Sequence, residues 1–143
     1  MDKIIKELKR DLIRKSGAVK RTIKEYISYV KETEKEKEKL EKIKEEKKND
    51  EGAIKRQSDC VFECNGAKIA SFQTLKKSYE ALKEFIETIE THDDDEDIRN
   101  AREEIKNLED FTEAKKQLDN AKEVLDKDDA VNPPLEQFAP PDK

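Results

Sequence analysis

Along residues 3–48 the apolar positions Ile5, Leu8, Leu12, Val19, Ile23, Tyr26, Val30, Leu40 and Ile43 recur at steps of three and four or their sums. The opposite face is almost entirely Lys and Glu, so the spacing predicts one long amphipathic helix. Gly17 is its weak link, at about 1 kcal/mol relative to Ala. Beyond Lys31 the seam thins to Thr33, Leu40 and Ile43. That stretch reads as a solvated helix end supported by Glu-to-Lys pairs four apart, such as Glu38 with Lys42. Residues 53–90 carry the most regular pattern: Ile54, Ser58, Val61, Asn65, Lys68, Phe72, Leu75, Tyr79, Leu82, Ile86 and Ile89 alternate steps of four and three. Sustained over this length, that is a coiled-coil signature. Asn65-Gly66 interrupts it and predicts a kink or irregular turn within one element. A third helix is expected over 97–126, with Ile98, Ala101, Ile105, Leu108, Phe111, Ala114, Leu118, Ala121 and Leu125 inward.

The connections are short. Asn49-Asp50-Glu51-Gly52 is turn chemistry, and a loop of this length between two helices implies an antiparallel hairpin. Thr91 to Asp97 holds a run of Asp that suits the N-terminus of the following helix, whereas a calcium loop needs alternating ligands, a central Gly and a closing Glu. The third helix contains an echo at a spacing of 13, in which Ile98, Ala101 and Ile105 return as Phe111, Ala114 and Leu118. Two such units make no solenoid. After Lys127, Pro133-Pro134 and Pro140-Pro141 flank Leu135 and Phe138, and residues 128–143 read as a flexible Pro-rich tail. The expected fold is all-α: an elongated antiparallel three-helix bundle over residues 1–127, packed like a coiled coil.

Composition narrows the function classes. Charged residues are 47% and hydrophobic ones 33% of the 143, enough to coat narrow seams between long helices but not to fill a thick core. Net charge is −5 but uneven: residues 1–48 hold 17 Lys and Arg against 11 Asp and Glu, and the remainder 14 against 25. The basic segment suits an acidic partner or the acidic rest of its own chain. No apolar run is long enough to span a membrane, no secretory h-region is visible, and two Cys without a signal fit a reducing compartment, so a cytosolic chain is expected.

Catalytic chemistry is not in view. His92 is the only histidine and sits in the acidic turn without a nucleophile nearby. Cys60 and Cys64 share a helical face but lack two further metal ligands, and an i, i+4 disulfide strains helix geometry. Three isolated Gly make no phosphate loop. We therefore expect no enzyme, no metal and no cofactor.

The run Lys15-Ser16-Gly17-Ala18-Val19-Lys20-Arg21, leading to Lys24, Glu25 and Tyr29, closely resembles the opening helix of tubulin-binding cofactor A proteins. Ala53-Ile54-Lys55-Arg56-Gln57 resembles the start of that family's second helix, and Leu75, Tyr79 and Leu82 match further on. Many members carry Met-Ile-Pro in mid-helix two, where this chain has Gly66-Ala67-Lys68-Ile69. The resemblance implies a rod-like three-helix bundle of the cytosol that binds β-tubulin leaving the chaperonin and passes it toward heterodimer assembly, alongside other tubulin-folding cofactors and without nucleotide or metal. Carried over residue by residue, the expected partner-binding positions are Lys15, Lys20, Arg21, Lys24, Glu25, Tyr29, Lys55, Gln57 and Tyr79. Lys20, Arg21 and Lys24 are the expected contacts to an acidic patch on β-tubulin.

Two other classes stand beside this one. A structural module can homodimerise through the heptads of the second helix, and heptads alone do not separate monomer from homodimer. Nucleic-acid binding through the first helix is opposed by net acidity, interleaved Glu and the lack of a recognised motif.

Overall fold

A computed structural model of the chain describes residues 2–134. Four α-helices follow one another: α1 (Asp2–Glu46), α2 (Glu51–Glu90), α3 (Glu96–Lys106) and α4 (Glu109–Asp128), with a single 3₁₀ turn over Asp129–Val131. The first two match the expected long helices and form an antiparallel hairpin. Its turn is closed by Asp50, whose carboxylate accepts from the Ala53 N–H at 2.9 Å and so satisfies one orphan donor at the start of α2. The Asp run before the third layer acts as expected: the Asp95 carboxylate accepts from the N–H groups of Asp97 (2.9 Å) and Ile98 (3.2 Å).

The third layer is two helices where one was expected. The carbonyls of Glu104 and Ile105 accept from the N–H groups of Asn107 and Leu108, and Leu108 turns to extended backbone before α4 begins. The apolar pattern requires this. From Ile105 through Leu108 and Phe111 to Ala114 the steps are three, three and three, and at about 100° per residue a continuous helix puts Ile105 and Ala114 on opposite faces. Breaking the helix lets Ala101, Ile105, Phe111, Ala114 and Ala121 all reach the core.

Asn65-Gly66, where a kink or turn was expected, lies inside an uninterrupted α2, and no glycine among the described residues has positive φ. One Gly costs about 1 kcal/mol in a helix interior, less than breaking a cooperative 40-residue helix packed along its length.

The core lies where α3 and α4 cover the hairpin. Leu12, Val19, Tyr26, Phe72, Leu75, Leu82, Ile89 and Ile105 are at most 1% exposed there. Tyr26 and Phe72 meet at 5.4 Å between ring centroids, tilted by 60°. Residues 128–132, expected to open a flexible tail, are instead docked at the end of this core. The Tyr26 hydroxyl donates to Asp128 Oδ2 at 2.7 Å and accepts from the Asn132 amide at 2.8 Å, with Asn132 buried. Lys68, counted as a seam interruption, is buried beside them and donates to the Val131 carbonyl at 3.2 Å. Its ammonium pKa is lowered, first by burial and then by Lys37. The remainder of the expected tail, residues 135–143, lies outside the described residues.

Among the described residues the third layer ends at the level of Tyr26 and Lys68. From there to the turn, residues 33–46 and 51–67 pair as two helices, with Leu40, Ile43, Ile54, Val61 and Phe62 only half-buried.

Candidate partner-binding face

The seam of α1 fixes what its opposite side shows. Leu12, Ser16, Val19, Thr22 and Tyr26 point into the core. At 3.6 residues per turn, Lys6, Arg10, Ile13, Gly17, Lys20, Lys24, Ile27 and Lys31 then form a stripe on the far side. Lys20, Arg21 and Lys24 are all exposed on or beside it, and none makes an ion pair among the described residues. No third-layer carboxylate among the described residues comes within ion-pair distance of them, although Glu123 lines the same groove as Lys20 and Lys24. Among the described residues, Lys115 with Glu90 (2.8 Å) and Arg102 with Asp93 (3.7 Å) are ion pairs that leave the helix of origin, and neither involves α1. Lys20, Lys24, Ile23 and Ile27 instead form one wall of a shallow groove of about 430 Å³, whose α4 wall is Gln117, Asn120, Glu123 and Val124.

The other expected positions disperse. Glu25 is exposed but lies on the flank of α1. Lys15 is half-buried, its ammonium 5.9 Å from the Phe85 ring centroid, a cation–π contact that ties α1 to α2. Tyr29 is half-buried, and its carbonyl accepts from Thr33 Oγ1 at 2.8 Å. Gln57 donates to the Glu36 carbonyl (3.0 Å) and carboxylate (2.6 Å), fixing the register of the hairpin. The Gln57 bond, and after it Lys39, holds the Glu36 carboxyl below its usual range. Lys55 is exposed on the two-helix end, 3.8 Å from Asp59. Tyr79 borders a different groove, of about 330 Å³ between α2 and α4, with Phe72, Lys76, Lys122, Leu125 and Asp129. The structure thus brings together Lys20, Arg21 and Lys24, and places Lys15 and Gln57 in contacts between α1 and α2.

Sequence reasoning missed Ile13 and Ile27, which are 48% and 40% exposed on the same stripe. Their interval of 14 residues, two heptads, is the signal that marks them as a second, outward seam. It also missed the Tyr26–Asp128–Asn132 cluster, whose partners come from a segment read as tail.

Burial, and next the Asp128 bond, drives the Tyr26 phenol far above its ordinary pKa. The Cys64 thiol is pushed up by burial and by Glu32 and Glu36, away from the reactive thiolate. His92 Nε2 stands exposed 3.3 Å from Asp94 Oδ1. Among the described residues no cluster of three His, Cys, Asp or Glu is placed to hold a metal, and no helix is long and apolar enough to cross a membrane. What the geometry offers is a long cationic surface on a rod.

Compared with known families, residues 7–105 match the family described as tubulin binding cofactor A. The matched segment runs from the first turns of α1 nearly to the end of α3 and contains all nine expected partner-binding positions. No curated protein and no solved structure matches the chain.

Proposed function

The chain belongs to the tubulin binding cofactor A family, a family of tubulin-folding cofactors, and on that premise we propose that it binds β-tubulin released from the chaperonin and passes it on toward heterodimer assembly. The observation that carries this reading is the family match across residues 7–105. The unpaired cations of α1 support it. A rigid surface with many modest polar contacts holds a partner firmly enough to shield it and releases it without chemistry. The work is binding alone, with no nucleotide or metal consumed, in the cytoplasm beside the tubulin and microtubule system. The other tubulin-folding cofactors are the natural recipients of the captured subunit.

Co-migration of the purified chain with free β-tubulin on a sizing column tests the reading, with α-tubulin and intact heterodimer as controls. We expect a complex with β-tubulin alone. No complex from a folded, helical chain refutes it. Within a positive result, reversing Lys20, Arg21 and Lys24 to Glu together should weaken the complex about ten-fold or more without loss of helicity, because rim charges act on encounter and not on the fold.

A further inference from the structure

We propose that the outer face of α1 seats an acidic amphipathic helix of the partner, which crosses closely at Gly17 and lays apolar side chains against Ile13 and Ile27. The inference rests on the tubulin-binding reading for whose helix it is, but its chemistry follows from the face itself.

The first observation is charge. From Lys6 through Arg10, Lys20, Arg21 and Lys24 to Lys31, the stripe runs about 38 Å without an Asp or Glu on it. The acids of this stretch, Glu7, Asp11 and Glu25, fall on one flank, roughly 80–120° round the helix from Gly17. The α1 stripe is of one sign, with Glu123 of α4 facing it across the groove, and such a stripe selects a partner of the other sign.

The second is the apolar residues set into that row. Ile13 and Ile27 are two of the three large hydrophobic side chains exposed among the described residues. They stand four turns apart, about 21 Å, on the same line of α1. Next to Ile27 the groove shared with α4 adds Ile23 and Val124, with Lys20 and Lys24 on its α1 wall. Apolar anchors in line at heptad spacing, with charges on both sides, are what a helix reads along its length.

The third is Gly17, which lies between them. It has no positive φ, and an added Cβ meets no neighbouring helix, only the end of the Arg21 side chain at 3.3 Å. The fold gains nothing from its missing side chain, and Gly suits a helix interior worse than any residue but Pro. On the solvent side of α1 a bare Cα makes a dent, and how near two helix axes come depends on the side chains at their contact.

These features discriminate among occupants. A second copy presenting the same face sets cations against cations. An anionic lipid surface finds only two half-exposed Ile about 21 Å apart on a straight rod, too little apolar area for insertion. An extended acidic peptide satisfies the charge but uses neither the dent nor the spacing.

The test uses the full chain and three probes: a synthetic helix of about 21 residues with Leu at heptad intervals flanked by Glu, polyglutamate of equal charge, and phosphatidylserine vesicles. The wild type should bind the helix more tightly than polyglutamate. Gly17→Gln should raise Tm, since it replaces Gly by a helix former, while weakening the acidic helix about ten-fold or more and changing polyglutamate binding less than about two-fold. Ile13→Ser with Ile27→Ser should weaken the same probe selectively. Equal affinity for helix and polyglutamate, untouched by Gly17→Gln, overturns the proposal, as does tighter binding to the vesicles than to either peptide. Free β-tubulin separates the two readings. A wild type that binds the helix but not β-tubulin keeps the docking face and removes the tubulin reading. β-Tubulin bound equally by wild type and Gly17→Gln removes the docking face and keeps the tubulin reading.

Discussion

The covered end of the hairpin and its two-helix end are made from the same two helices, yet different forces hold them. Where α3 and α4 lie over α1 and α2, large side chains are sealed from water on every side, and burial dominates the energetics. Toward the turn no third layer stands over residues 33–46 and 51–67 among the described residues. There the seam is half-buried, and it is supplemented by the Gln57–Glu36 bonds and by exposed i, i+3 ion pairs such as Lys39 with Glu36 at 3.1 Å. Such pairs contribute little singly. The two-helix end is helical largely because each helix is already nucleated inside the covered end and extends from it at low cost. One continuous helix thus spans regions of very different local stability.

Substitutions at the two ends should measure that contrast. The largest loss is expected from Phe72→Ala, which empties a fully buried site against Tyr26 and should cost about 3–5 kcal/mol in global stability by chemical denaturation. Next comes Tyr26→Phe. It strips Asp128 and Asn132 of their common partner, should cost about 1–3 kcal/mol, and should accelerate amide exchange at the end of α4 before it affects α2. Leu40→Ala on the two-helix end should cost only about 1–2 kcal/mol, because Leu40 is only partly buried there. Its effect on exchange should stay near the turn, and a global loss equal to that of Phe72→Ala would erase the distinction between the ends. The smallest change is expected from Gln57→Ala, local to the same end. The Glu36 carboxyl is held below its ordinary pKa by Gln57, so the contribution of this pair is complete above the ordinary carboxylate range and lost as pH falls through the lowered value. Wild type and variant should therefore draw closer in acid, where the bond to the Glu36 carbonyl remains, and helicity across a pH titration would show it.

The covered end was also the more legible in the sequence. Leu12, Val19, Phe72, Leu75, Leu82 and Ile86 announce themselves by period, and period is what burial on one face imposes. The split between α3 and α4 was present as the echo of 13 and the three successive steps of three. It is readable only when those steps are taken as rotation and not as similarity. Asn65-Gly66 misled because local turn propensity is weak against a long packed helix. Docking of Asn132 could not be seen, since a single buried polar residue after a helix carries no pattern, and its partner Tyr26 lies 106 positions away. For the site, Lys20, Arg21 and Lys24 were proposed through the family resemblance, and the structure leaves them exposed. The contacts of Lys15 with Phe85 and of Gln57 with Glu36 were not legible, because a residue type does not say whether it meets a neighbouring helix.

The bond from Tyr26 to Asp128 spans 102 residues and has a bearing on how the molecule is made. During synthesis α1 and α2 can pair once the chain has passed Glu90, but α4 and its closing contacts arrive later. Until then Leu12, Val19 and Phe72 face water along an open trough, the kind of surface that recruits chaperones or a second nascent chain. Contacts so distant in sequence are slow to form, so closure of this latch should set the pace of maturation. Before that latch closes, a member of a family of tubulin-folding cofactors thus presents the kind of surface that chaperones cover.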